Sequence, residues 1–168
     1  HFFHANGYPP ECYLSFLAPL TQKYSLTLHK LRPLWSSQWQ QKLNIKSWQD
    51  FRDDLEQTLL EQKTQSAFGV GHSIGGNLLM KLACKHPNMF DKIIIIDPPI
   101  FSTRTIWLWK VVTLLGLGLR FFPLAQKSKR RKFFFEDFNQ SFHNYRSKKV
   151  FRLLSDVHLY ELNQGLFQ

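Results

Sequence analysis

Ala67-Phe68-Gly69-Val70-Gly71-His72-Ser73-Ile74-Gly75-Gly76-Asn77-Leu78-Leu79 is the stretch on which the fold turns. An apolar run ends at Val70, a G-x-S-x-G pentapeptide follows, and a helix-like segment begins at Ile74 and runs through Leu78, Leu79, Leu82 and Ala83 to a stop at Pro87. That order predicts a sharp strand-to-helix turn with Ser73 at its tip, its Oγ projecting into a cleft from a strained backbone. Side chains two residues either side of the serine would collide in such a turn, which accounts for Gly71 and Gly75, and Gly76 predicts close packing of helix on strand. The helix aims its positive end at Ser73, and the backbone N–H of Ile74 is left free to stabilise an oxyanion. The competing reading is a turn of small residues with no chemistry. The strand before, the helix after and a further apolar run over Lys92–Ile96 favour the nucleophile elbow.

A second motif lies upstream. His4-Ala5-Asn6-Gly7-Tyr8-Pro9, entered from Phe2-Phe3, resembles the His-Gly-type oxyanion loop that follows the third strand of the α/β-hydrolase fold. With Ser73 and the strand over Lys92–Asp97, the chain resembles the α/β-hydrolase superfamily. The stretch from Lys129-Arg130-Arg131-Lys132 to Phe135, and from Phe142 to Arg152, is similar to the cap of a bacterial hydrolase group with a His-Ala-Asn-Gly-Phe loop. Aligned without gaps to the commoner His-Gly-Phe form, the resemblance implies that Asn6 supplies the second oxyanion N–H. Ala5 in place of Gly and Tyr8 in place of Phe leave open whether Asn6 or a neighbour donates, and a Gly-Tyr-Pro-Pro turn without a catalytic part is the plain alternative.

The resemblance also bears on the ends of the chain. The family fold has two strands ahead of the oxyanion loop and supplies its acid and its histidine, in that order, after later strands than those read here. The 168 residues are therefore expected to be an internal piece, with the triad completed beyond residue 168. Of the seven histidines, only His143 and His158 follow Ser73 at a distance, and both sit in helical sequence without a strand end, so each reads as a surface or packing residue. Asp97, in Ile93-Ile94-Ile95-Ile96-Asp97-Pro98-Pro99, is the one carboxylate at a strand end; it reads first as a turn residue before prolines and second as a triad acid. No histidine pair has metal-ligand spacing, and no cofactor or metal is expected.

Alternating strand and helix signals, with 43% hydrophobic residues, predict a parallel α/β sheet around one core. The expected order is a strand near Phe2, helix Glu11–Thr21, strand Tyr24–Leu28, helix Trp48–Gln62, strand Ala67–Val70, the elbow helix and strand Lys92–Asp97. Ser47 with Asp50 three residues on is close to a capping box. With the resemblance, the expected fold class is a partial α/β-hydrolase fold, a mostly parallel sheet with helices on both faces, followed by a helical cap. Residues 1–100 are expected to form the core and 101–168 the cap. Cys12 and Cys84, both in helical sequence, read as buried thiols of a reducing compartment, which favours the cytoplasm.

Charge is unevenly placed. Residues 101–168 hold twelve basic and four acidic side chains, net +8, against net +2 in residues 1–100. Lys127–Lys132 carries five charges in six residues; a solvated cap face is the first reading and contact with an anionic membrane surface the second, with no nucleic-acid partner expected. Ile106–Leu119 is apolar all round but shorter than the ~20 residues of a membrane span, so it is expected to roof an apolar acyl pocket. Two functions follow. One is a serine hydrolase that cleaves a carboxylic ester or related small-molecule acyl substrate through an acyl-enzyme on Ser73, with the oxyanion held by Asn6 and Ile74, incomplete and inactive in this piece alone. The other is a non-enzymatic module that binds through its basic cap.

Overall fold

The computed structural model describes residues 1–35, 45, 47–116 and 135–166. Four strands, β1 (Phe2–Phe3), β2 (Leu28–His29), β3 (Ala67–His72) and β4 (Phe90–Ile96), form one sheet in the order β2-β1-β3-β4, every pair parallel. The register sets Phe3 beside Gly71 and His72 beside Ile96, so the C-terminal ends of β1, β3 and β4 lie side by side. Parallel strands need crossovers, and the crossovers here are helical.

Helices α2 (Trp48–Glu61) and α3 (Ile74–Lys85) cover one face. Phe51, Leu55 and Leu59, spaced by four, present one stripe of α2, and Leu78, Leu79 and Leu82 one stripe of α3; with Phe3, Leu31, Met89 and Phe90 they make the core. Each such side chain contributes about 2 kcal/mol by leaving water. The expected cap on α2 is present: the Ser47 side chain accepts from Gln49 N–H at 3.1 Å and the Asp50 carboxylate accepts from Ser47 N–H at 2.8 Å. Along the same helix pair, Glu56 receives Lys85 and His86 from the end of α3, His86 Nε2 at 2.6 Å. The other face is crossed by the segment after β1, and a cleft of about 770 Å³ lies between Leu17, Leu20 and Tyr24 of that segment and Phe68, Val70 and Ile94 of the sheet.

Two elements differ from expectation. The helix over Glu11–Thr21 is broken into a 3₁₀ turn (Pro10–Tyr13), one α turn, α1 (Leu14–Leu17), and a second 3₁₀ turn (Ala18–Gln22); Pro19, which has no N–H to donate, ends α1 at Leu17. The strand expected over Tyr24–Leu28 is instead the short Leu28–His29, which pairs with β1, and Thr27 adds its carbonyl as acceptor to Phe2 N–H at 2.8 Å.

Beyond β4, α4 (Thr103–Leu114) is capped by the Ser102 hydroxyl, which accepts from Thr105 N–H at 3.2 Å. None of its residues is buried, and Trp107 is 64% exposed, so within the described residues this helix projects an apolar surface rather than filling a core. Helices α5 (Phe138–Arg146) and α6 (Asp156–Leu166) pack on each other around Asn163, which is fully buried. The Ser141 hydroxyl donates to Asn163 Oδ1 at 2.6 Å, and Asn163 Nδ2 donates to the Phe138 carbonyl at 3.3 Å. Gly165 of α6 touches the backbone of Cys12, where any Cβ would sit 2.6 Å from Cys12 N, so this helix pair docks on the turn that follows the upstream loop. Lys127–Lys132 lies outside the described residues. Among the described residues no helix is long and apolar enough to cross a membrane.

Candidate functional site

Ser73 stands between the last residue of β3 and the first of α3 with φ 54° and ψ −119°, a conformation that L-residues avoid. Two hydrogen bonds hold it there. Its own N–H donates to the Ile96 carbonyl at the end of β4 at 2.8 Å, and its carbonyl accepts the first helical bond, from Asn77 N–H at 3.2 Å. Gly71 and Gly75 let the backbone fold this tightly: a Cβ on Gly71 would lie 2.6 Å from the Gly76 Cα, and a Cβ on Gly75 would lie 2.2 Å from the Phe3 carbonyl oxygen and 2.6 Å from that of His4. Gly76 in turn lets Ile95 close on the helix.

The collision at Gly75 shows what the pentapeptide is pressed against. The chain leaving β1 runs across the first turn of α3, so the upstream loop starts in contact with the elbow. That loop is a turn in which the Ala5 carbonyl accepts from Tyr8 N–H at 3.1 Å, with Gly7 at φ 75° and Asn6 exposed at its crest. Ile74 is the first residue of α3. Its N–H precedes every acceptor within the helix and lies at the positive end of the helix dipole. The structure therefore brings together the elements that carry Ser73, Ile74 and Asn6. Among the described residues, none hydrogen-bonds the Ser73 hydroxyl.

The histidines near this junction are committed elsewhere. His4 is 2% exposed; its Nε2 accepts from Leu31 N–H at 3.1 Å, which leaves Nδ1 to donate to the Ala5 carbonyl at 2.8 Å. It is a neutral strut under the loop, and burial lowers its pKa below the usual value. His72 shares a 2.8 Å hydrogen bond through Nδ1 with the Tyr13 hydroxyl, and burial lowers its pKa against the pull of Asp97. His29 is held to about 4, chiefly by burial. His143 and His158 are exposed, the latter 2.9 Å from the Ser155 hydroxyl. Asp97 is also exposed and takes a positive φ of 45° immediately after Ile96, at the strand end beside Ser73.

Sequence reasoning missed Tyr13. Its hydroxyl also receives Ala5 N–H at 3.3 Å, and its ring lies 4.7 Å from that of Phe2. It misjudged the cysteines as well. Cys84 is exposed, since it points away from the stripe of Leu78 and Leu82, while half-buried Cys12 approaches the Leu162 carbonyl at 3.5 Å, its thiol pushed up to about 12 chiefly by burial. Above the loop, Tyr8 meets Phe151 at 6.4 Å and Phe151 meets Tyr145 at 5.6 Å, an aromatic group that joins the loop to the helices beyond β4. No group of three potential metal ligands occurs among the described residues.

Residues 36–152 match the family model described as Hydrolase_4, serine aminopeptidase, S33. A stretch of 55 residues, 31% of this chain and 13% of the relative, is 42% identical to a type I acyl-CoA thioesterase of Penicillium roqueforti. Among solved structures, a thioesterase domain from the curacin biosynthetic pathway aligns over 98% of this chain and 57% of its own, with a TM-score of 0.55 at 18% identity. A structure from a study of carboxylesterases of the thaumarchaeon Nitrososphaera gargenis aligns over 98% of this chain and 56% of its own, TM-score 0.55, 16% identity. The chain thus spans little more than half the length of these structures. At such identities they speak to the fold, and that fold is the α/β-hydrolase sheet with its helices.

Proposed function

We infer, for a chain that belongs to the serine aminopeptidase S33 family of α/β hydrolases, that the whole protein is a serine hydrolase acting on a small-molecule acyl substrate. The observation that carries this is Ser73 itself. A non-glycine residue held at φ 54° by two glycines, a strand-end carbonyl and a helix N-terminus is strain concentrated at one hydroxyl, and strain of that kind clusters at reacting groups.

In this reading Ser73 Oγ attacks the acyl carbonyl and expels the alcohol or thiol to form an acyl-enzyme; water then hydrolyses that ester, releasing the acid and restoring Ser73. The oxyanion of each tetrahedral intermediate is held by the N–H groups of Ile74 and Asn6, the first strengthened by the dipole of α3. The proton acceptor is a histidine brought to Ser73 by a part of the protein other than the described residues, since the nearby described histidines are bound elsewhere. Apolar α4, with Trp107, supplies a roof for the acyl chain. The names of the relatives, an acyl-CoA thioesterase, a thioesterase domain and carboxylesterases, support oxygen esters or thioesters as the bond cleaved, whereas the family description adds amides.

The test is labelling of the full-length protein with a fluorophosphonate, together with turnover of p-nitrophenyl acetate, an acyl thioester and an aminoacyl p-nitroanilide. Ser73→Ala should abolish labelling and all turnover. Labelling that persists in Ser73→Ala would put the nucleophile elsewhere. A full-length protein that neither labels nor turns over would favour a binding module, a reading that draws on the net +8 of residues 101–168.

A further inference from the structure

Two loops have to meet for Asn6 and Ile74 to share one oxyanion, and one side chain ties them. Tyr13 closes the 3₁₀ turn Pro10–Tyr13 and reaches back between the upstream loop and the elbow. The donors and acceptors can be assigned. Ala5 N–H can only donate, so at 3.3 Å the Tyr13 oxygen accepts; this leaves the phenol's own proton for His72 Nδ1 at 2.8 Å, the arrangement in which the imidazole carries its proton on Nε2. Burial pushes the Tyr13 hydroxyl up to about 12, so it keeps the proton this arrangement needs. Its ring is held from both sides, 4.7 Å from Phe2 and 5.8 Å, edge on, from His72.

The bridge also sorts the loop amides. Ala5 N–H is spent on Tyr13, and Tyr8 N–H is spent on the turn. The amides at the crest, beginning with Asn6, have no acceptor among the described residues. A donor for an oxyanion must be unpaired until the charge develops and must be held still, because a displacement of about 1 Å can cost 10²-fold. Ala5 fails the first condition. Asn6 meets it, and the Ala5 anchor one residue away meets the second.

We propose that Tyr13 is a positioning residue that locks the loop Ala5–Tyr8 to the elbow through Ala5 N–H and His72 Nδ1, and so selects Asn6 as the partner of Ile74 in the oxyanion site. The proposal rests on the serine-hydrolase reading of Ser73. It does not require Tyr13 to touch substrate. It assigns His72, the residue before the nucleophile, to the same task.

The experiment compares Tyr13→Phe, His72→Leu and the double variant in the full-length protein, with p-nitrophenyl acetate as substrate and a trifluoromethyl ketone as a probe that forms a tetrahedral adduct. Tyr13→Phe keeps the ring and deletes the bridge. It should lower kcat on the order of tenfold, leave KM within about twofold and weaken the ketone by a factor like that on kcat, because the oxyanion exists only after attack. His72→Leu should do the same, and the double variant should be no worse than either single one. Amide exchange supplies a reading independent of turnover: protection of Ala5 should drop about tenfold in Tyr13→Phe while that of Tyr8 persists. Unchanged Ala5 protection, unchanged kcat, or single losses that multiply in the double variant would overturn the proposal. Ser73→Ala separates the two failures, since turnover surviving in that variant rejects the hydrolase reading, whereas Ser73-dependent turnover with normal Tyr13→Phe kinetics rejects only the bridge.

Discussion

Gly75 and Phe3 meet backbone to backbone: a single carbon added to Gly75 would lie 2.2 Å from the Phe3 carbonyl oxygen. Neither partner can yield as a side chain would, because one is the first turn of α3 and the other the end of β1. Gly75→Ala should therefore destabilise by about 2 kcal/mol or more and also part the loop from the elbow. Gly69→Ala is the control. Its Cβ would meet the tip of Leu79 at 2.7 Å, a flexible side chain, and the loss in chemical denaturation should be clearly smaller.

Ser73 stores strain that the fold does not need. At φ 54° a glycine would sit without penalty, so Ser73→Gly should be more stable than Ser73→Ala by about 1 kcal/mol, although both lose the hydroxyl. Thermal denaturation of the two variants side by side checks this. Equal stability would mean that the elbow backbone is unstrained.

The elbow was legible because its rules are local. Glycines at fixed offsets, an apolar run before and a four-residue apolar rhythm after are properties of thirteen consecutive residues, and the parallel sheet follows from repeating that alternation. The break at Pro19 and the exposure of Cys84 carried equally local signals, a proline inside a helical pattern and a position two residues from Leu82 on the opposite side of α3. The Tyr13 bridge carried none. Its partners lie eight residues back and 59 residues ahead, and only the docking of β1 against β3 makes them neighbours. His4 is similar: its place in the loop was readable from its motif, but its service to Leu31 N–H depends on where the chain returns after β2.

One buried amide ties α5 to α6. Asn163 has 0% exposure and links α5 to α6 through Ser141 and the Phe138 carbonyl. Asn163→Leu keeps the size but takes the acceptor away from the buried Ser141 hydroxyl, at a cost of roughly 2 kcal/mol. The loss should appear first as faster proteolysis or amide exchange over residues 138–166, with the elbow helix still protected. Uniform loosening of the whole chain would show instead that these helices and the sheet melt as one unit.

Acid should weaken this fold before its carboxylates titrate. His4 accepts a hydrogen bond at Nε2 from Leu31 N–H, which it can do only while neutral, and burial lowers its pKa below the reference of 6.5, outweighing the pull of Glu11. His72 shifts the same way through burial, and His29 to about 4. When the folded pKa lies below the unfolded one, the unfolded chain binds more protons in the window between them, so stability rises with pH there. Stability should accordingly be full well above pH 6.5 and fall as the pH drops through it. Glu56, whose pKa is lowered by its hydrogen bonds to Lys85 and His86, adds its own loss only below the carboxylate reference of 4.5, so the interval between about 5 and 6.5 isolates the histidines. Urea midpoints at pH 7.5, 6.5 and 5.5 should fall with pH, more steeply from 6.5 to 5.5 than from 7.5 to 6.5, and the His4 ring of the native protein should titrate below the reference of 6.5. A midpoint that rises on acidification, or a His4 ring that protonates near 6.5 without loss of stability, would mean that the strut under the loop is not held as a neutral acceptor.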